Sequence, residues 1–224
     1  MATKQPALVP SPGEDFELAA EGRTESIAIR LKARPERSRS TARDRRHERR
    51  WIRDAQGGSA DALEALYRRH WPWAHRAAYL VVHDGAAAED IAQEAFLAAV
   101  RALDRFDRRR PFGPWLHRIV INRAIDWARA RAIRSETELE SEPQASEAWP
   151  GETRQPDRGR PYSEDIVAAL AMLSPEHRAV VVLRYLLEYT PGEIAEALEL
   201  PRGTVNSRLR RALDRLERLL KEEG

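Results

Sequence analysis

Residues 190–221 read TPGEIAEALELPRGTVNSRLRRALDRLERLLK, and their punctuation decides the fold class. Thr190-Pro191-Gly192-Glu193 predicts a capped helix start. The Thr190 hydroxyl accepts from the Glu193 N–H, the Glu193 carboxylate returns to the Thr190 N–H, and Pro191 lacks a donor that would have no partner there. A short helix with Ile194, Ala195 and Leu198 then meets the turn Glu199-Leu200-Pro201. A longer helix follows, from Arg202 to about Lys221. In it Val205, Leu209, Ala212, Leu216 and Leu219 recur three or four apart and draw one apolar stripe. Short helix, tight turn and longer helix are the proportions of a helix-turn-helix. Arg202, Thr204, Asn206, Ser207, Arg208, Arg210 and Arg211 gather in its N-terminal half. There a recognition helix offers cations, amides and hydroxyls to base edges and phosphates. The competing reading is a solvated hairpin face that pairs its arginines with Asp214 and Glu217.

Upstream, Ser163 starts a helix bearing Ile166, Val167, Leu170 and Leu173. Ser174-Pro175-Glu176 starts another with Val180, Val181, Leu183 and Leu187. Residues 132–162 are acidic, contain four prolines and few apolar side chains, and read as a linker. Before them, Ser59 to Arg131 is helical in pattern. Ser59 caps a helix with Leu63, Leu66, Tyr67, Trp71, Ala74 and Ala78, which Pro72 is expected to kink or divide. After His83-Asp84-Gly85 a second helix aligns Ile91, Ala95, Ala98 and Ala102. A polar break, Asp104 to Pro114, precedes a third from Trp115 to Arg131. Residues 1–50 have no apolar period, and the run 34–50 is almost wholly polar, so a disordered basic arm is expected. The expected fold is all-α: small helical domains at 51–131 and 163–224, joined by the linker.

Composition narrows the chemistry. Of the 224 residues 33% are charged, and no stretch approaches the roughly 18 unbroken apolar residues of a membrane span. Met1 to Pro12 lacks the basic start and apolar core of a secretory leader, so a cytoplasmic protein without membrane insertion is expected. The absence of cysteine excludes disulfides, thiol catalysis and cysteine-ligated metal, and the six histidines form no HExxH. No catalytic constellation is visible, so neither an enzyme nor a cofactor or metal is expected. A metal enzyme would have to draw on Asp84, Asp90 and Glu94. Net charge is only +2, but cations dominate before residue 132 and acids after it. Only three of the 38 cations are lysine, and arginine's planar fork suits phosphates and base edges.

Two more segments bear on function. Trp115 to Arg131 mixes Arg118, Arg123, Arg129 and Arg131 with Trp115, Trp127 and Asn122. Such a mixture holds opened DNA and reads an extruded base; the competing reading, favoured for the tryptophans, places both rings in the core and leaves the arginines solvated. On the preceding helix Glu89, Asp90, Gln93 and Glu94 flank Phe96 and Leu97, a face that suits a basic partner and that composition alone reads equally as an ordinary solvated face.

Taken in order, AAAEDIAQEAFLAAVRALDRFD (86–107), PWLHRIVINRAIDWARARA (114–132) and LSPEHRAVVVLRYLLEYTPGEIAEALELPRGTVNSRLRRALDRL (173–216) strongly resemble bacterial RNA polymerase sigma factors of the extracytoplasmic-function group. The likeness covers about residues 55–131 and 163–221. It implies that Asp90, Gln93, Glu94, Phe96 and Leu97 grip the clamp helices of the polymerase's largest subunit, with the flap as a further polymerase contact. It implies minus-ten contacts by Trp115, Arg118, Asn122, Arg123, Asp126 and Arg129, and minus-thirty-five contacts by Arg202 to Arg211. Promoter DNA, core RNA polymerase and a cognate anti-sigma factor are the implied partners, and a stress or envelope-response regulon the implied output. Gly113-Pro114 departs from the group's pattern, which more often has a helix former there. The alternative is a stand-alone helix-turn-helix regulator, which would dimerise and bind duplex DNA without polymerase.

Overall fold

The computed structural model describes residues 42–137 and 164–222, and every regular element among them is helical. An N-terminal unit comprises α1 (Ala42–Gln56), α2 (Ala60–Val82), α3 (Gly85–Ala102) and α4 (Phe112–Thr137). The C-terminal unit comprises α5 (Glu164–Ala171), α6 (Pro175–Val181), α7 (Pro191–Leu198) and α8 (Arg202–Glu222). A 3₁₀ turn, Leu103–Arg105, follows α3, and a π turn, Val182–Leu186, extends α6.

The helix boundaries follow from local chemistry. Ser59 Oγ accepts from Ala62 N–H, Ser174 Oγ from His177 N–H and Thr190 Oγ1 from Glu193 N–H; Glu193 Oε2 in turn accepts from Thr190 N–H at 2.8 Å. Each bond satisfies a first-turn donor that the helix itself cannot. At the corner between α2 and α3, His83 adopts left-handed backbone (φ 54°) and Asp84 caps the next helix through Ala87 N–H. Pro72 neither divides nor ends α2, which runs unbroken across it. One ladder bond is lost there, while Leu66 before it and Ala74, Ala77 and Ala78 after it are all buried and hold both halves in place.

Alanine dominates where the long helices meet. Ala74, Ala77 and Ala78 of α2, Ala88, Ala92 and Ala95 of α3 and Ala124 of α4 are fully buried beside Leu80, Leu116, Val120 and Ile121. Small side chains let helix axes approach closely, and each larger one contributes about 1.5–3 kcal/mol by burial. The C-terminal core is aliphatic: Ile166, Leu170, Val180 to Leu183, Ile194, Val205 and Leu216. Both sets belong to one continuous apolar cluster, because α6 packs on α2 and α4.

Three expectations are corrected. Residues 42–50, read as part of a disordered arm, are helical, because Ile52 and Ala55 at the far end of α1 are buried and Glu48 ties its middle to the domain. Residues 132–137, read as linker, continue α4. That helix starts at Phe112 rather than Trp115 and takes Gly113-Pro114 into its first turn, where proline's missing N–H costs no ladder bond. Residues 1–41 and 138–163, with the rest of the arm, most of the linker and the Ser163 helix start, lie outside the described residues.

Candidate nucleic-acid interface

Helix α4 is buried along Leu116, Val120, Ile121, Ala124 and Ala128, which turns its polar residues outward. Trp115 is half-buried with its ring 4.5 Å from Phe106 and 5.5 Å from Phe112, so it both packs and shows a face. Asn122 is half-buried and Asp126 exposed. Four of its arginines are engaged by carboxylates. Arg123 Nη1 donates to Glu94 Oε2 at 3.2 Å, and Arg131 donates to Asp84 at 2.9 Å while lying 5.2 Å from the Trp127 ring. Arg129 reaches across to the C-terminal unit, donating to Glu176 Oε1 at 2.7 Å, and Arg118 donates to Glu199 in the turn between α7 and α8.

These cross-unit pairs sit beside a buried seam. Tyr189, delivered by the π turn, brings its hydroxyl 3.3 Å from His117 Nδ1 of α4. Arg178 of α6 donates to the carbonyls of Leu173 and of Val81, near the C-terminus of α2, where a cation is favoured. Next to it, burial and the Arg178 charge push His83 down to a pKa of about 3. A cleft of about 480 Å³ opens between the units, with Arg105, Trp115 and Arg118 on one wall and Tyr189, Glu193 and Glu196 on the other.

The second candidate surface is α8. Its stripe behaves as the period predicts, with Val205, Leu209, Ala212 and Leu216 buried and Leu219 half-buried. Arg202, Arg210 and Arg211 are exposed; Thr204, Asn206, Ser207 and Arg208 are half-buried. Ser207 Oγ donates to Thr204 O at 2.9 Å, which spends its proton inside the helix. Burial, with Arg208 and Arg211 nearby, holds His177 below its ordinary pKa, so these arginines lie close to the start of α6.

On α3, Asp90, Gln93 and Glu94 are exposed, with Gln93 bonded to Glu89 at 3.2 Å. Phe96 lies under this face. It is 6% exposed and packs against Tyr67 and Trp71 at 5.0 and 6.1 Å, so it supports the face from beneath. The apolar part of the face is Leu97, 55% exposed, with Val100 at 44% and Tyr67 at 39%. The i, i+3 spacing of Leu97 and Val100 was the available signal for adding Val100. Asp84 is occupied as a helix cap and by Arg131, and Glu94 by Arg123. Among the described residues no three acidic or histidine side chains are placed to hold a metal.

Two family models match the chain: sigma-70 region 2 over residues 66–133 and sigma-70 region 4 over residues 163–216. Among curated relatives, the ECF RNA polymerase sigma factor SigW of Bacillus subtilis is 31% identical over 181 residues, spanning 76% of this chain and 95% of SigW. The chain belongs to the ECF RNA polymerase sigma factors. The sigma factor CarQ of Myxococcus xanthus is 30% identical, across 74% of this chain and 92% of CarQ. The solved structure of CnrH with the cytosolic domain of CnrY shares the fold at TM-score 0.57 and 27% identity, covering 80% of this chain and 99% of that one. The RpoE–NepR structure from Bartonella quintana has the same score at 23% identity and supports the fold. As a sigma factor the chain binds core RNA polymerase and directs it to promoters, which sets aside the stand-alone regulator. Factors of this family initiate transcription and leave the phosphodiester chemistry to the polymerase.

Proposed function

We propose that α4 carries the minus-ten contacts through Trp115, Arg118, Asn122, Arg123, Asp126 and Arg129, and that α8 carries the minus-thirty-five contacts through Arg202, Thr204, Asn206, Ser207, Arg208, Arg210 and Arg211. Core polymerase is gripped by Asp90, Gln93, Glu94 and Leu97, with Val100 and Tyr67 extending the apolar part. The observation that carries this reading is the pairing of Arg118 and Arg129 with Glu199 and Glu176. Carboxylates from the second unit bond the cations that phosphates would bond, so the docked arrangement is a resting state. Polymerase separates the units, frees α4 and spaces the two DNA contacts, so that the second contact becomes effectively intramolecular.

An anti-sigma factor is the partner that would hold the docked state, a reading supported by the likeness to CnrH solved with CnrY. The factor acts in the cytoplasm at the nucleoid, catalyses nothing itself, and serves a stress or envelope-response regulon. Among the described residues no helix is long and apolar enough to cross a membrane.

The test is co-elution with bacterial core polymerase, then run-off transcription from fragmented genomic DNA. A stoichiometric complex starting transcripts at a recurring two-part sequence is expected. Each good base contact is worth about 1–3 kcal/mol, so Arg118→Ala and Arg208→Ala should each cut promoter-dependent transcript by roughly 5- to 150-fold with the core complex intact. Full transcription by both variants would remove these faces from the DNA.

A further inference from the structure

A second basic surface is built mainly on α1, which lies outside both family matches. Helix α1 ends at residue 56, and the region 2 match begins at residue 66. On α1, Arg46, Arg49, Arg50 and Arg53 recur at helical spacing and are all exposed, opposite Ile52 and Ala55, which are buried. Arg108 and Arg109, from the loop between α3 and α4, complete a shallow groove lined by six guanidinium groups. Asp54, within 3.4 Å of Arg50 and 3.2 Å of Arg53, offsets one of these charges.

The groove is built rather than incidental. Gln56 at the end of α1 donates to the carbonyls of Leu103 and Phe106 at 2.9 and 3.0 Å, clamping the start of that loop. Glu48 in mid-helix accepts from Phe112 N–H at 3.3 Å, clamping its end. The same carboxylate lies 3.2 Å from Arg69 Nε and 3.4 Å from His70 Nε2. Burial alone would raise the Glu48 pKa, but His70, the Phe112 amide and Arg69 together hold it below the ordinary carboxylate value. Between these clamps Asp107 accepts from Arg109 N–H and Arg110 N–H, a tight turn that fixes the loop arginines. Like charges from distant parts of the sequence are therefore held together against their repulsion, an arrangement that a polyanion relieves.

We propose that this groove binds the phosphate backbone of duplex DNA without reading its sequence. Two features favour DNA over an acidic protein surface. The guanidinium row follows a helix for about 10 Å, and duplex DNA presents a charge every ~1.7 Å of its axis. The loop is also shared, since Arg108 and Arg109 face the groove while Arg105 and Arg110 line the cleft with Trp115 and Arg118. One strip of cations thus runs from α1 to the minus-ten face, and DNA lying on one end meets the other. This rests on the chain working on DNA as a sigma factor, but not on which α4 residues read the promoter. Unlike the α4 arginines, the groove stays open while the units are docked, so the free full-length chain can report on it.

The probe is a fluorescein-labelled 30-base-pair duplex of mixed sequence, titrated with the full chain from low to moderate salt. Replacing Arg46, Arg49, Arg50 and Arg53 together with alanine, a good helix former, is expected to weaken binding at least tenfold. The slope of log Kd against log salt should become shallower by about three to four. Arg108→Ala with Arg109→Ala should act in the same direction by about half as much. An Arg68→Ala, Arg101→Ala variant controls for net charge and should leave the slope within about one of the parent's. Thermal melting checks that each variant is folded. Unchanged affinity and slope in the folded quadruple variant would overturn the proposal. So would normal DNA binding with loss of the core polymerase complex, which would make the groove a protein contact. Failure of the α4 reading would show separately, as full transcription by Arg118→Ala.

Discussion

Two helices of this protein carry rows of arginine, and they differ in what faces them. On α4, Arg118, Arg123, Arg129 and Arg131 each meet a carboxylate drawn from α3, the α2–α3 corner or the C-terminal unit. On α1, four arginines share a groove with two more and one offsetting aspartate. Arginine count is therefore a poor guide to a nucleic-acid surface. The arrangement of acids tells more, because a cation already bonded must exchange one partner for another, while a crowd of cations gains from the first anion to arrive.

The largest expected effect breaks the support of both rows at once. Ile121 is fully buried on α4, and Ile121→Ala should cost about 2–5 kcal/mol in urea unfolding. Next is pH. His83 titrates near 6.5 when unfolded but is held down to about 3 in the seam, so below pH 6.5 the open or unfolded state takes up a proton that the docked state refuses. Stability should fall as pH drops from 6.5 towards 3, by about 1.4 kcal/mol per pH unit for this group. His83→Asn should flatten that slope, since asparagine tolerates the left-handed backbone at this corner; an unchanged slope would place the titration elsewhere. Smaller again is Gln56→Leu, which strands two carbonyls and should cost about 1–3 kcal/mol by thermal melting while making DNA binding by α1 less salt-dependent. Smallest is Glu199→Gln. Its pair with Arg118 is exposed and worth under about 1 kcal/mol, so the variant should shift the docked equilibrium modestly, read as a longer mean distance between fluorophores on the two units.

What was legible in the sequence was local. The caps at Ser59, Ser174 and Thr190 and the α8 stripe depend on neighbours three or four residues away, and all stand as the pattern predicts. Helix α1 escaped because it buries little beyond Ile52 and Ala55, too sparse a stripe to stand out from an arginine-rich run. The packing of Phe96 was not legible because its partners Tyr67 and Trp71 come from another helix. Nothing in the sequence pairs Arg118 with Glu199, 81 residues away, or His117 with Tyr189, 72 away. The face proposed for polymerase was half-visible: its acids follow from composition, whereas its exposed leucine and valine look like any other apolar positions.

The π turn after α6 has a rotational consequence. Leu187 N–H bonds to Val182 O, five residues back, so this turn holds one residue more than an α-helical turn would. Each α-helical residue advances the chain by about 100°, and the surplus residue therefore resets the angular phase of everything after it. Deleting one residue between Val182 and Leu186 would let the helix run on regularly and swing Tyr189 and the Thr190 cap about a quarter-turn around the axis. The bearing of α7 and α8 relative to α4 is thus set by the length of one turn, and a single-codon deletion there would misaim the helix proposed to read DNA while leaving its own sequence untouched.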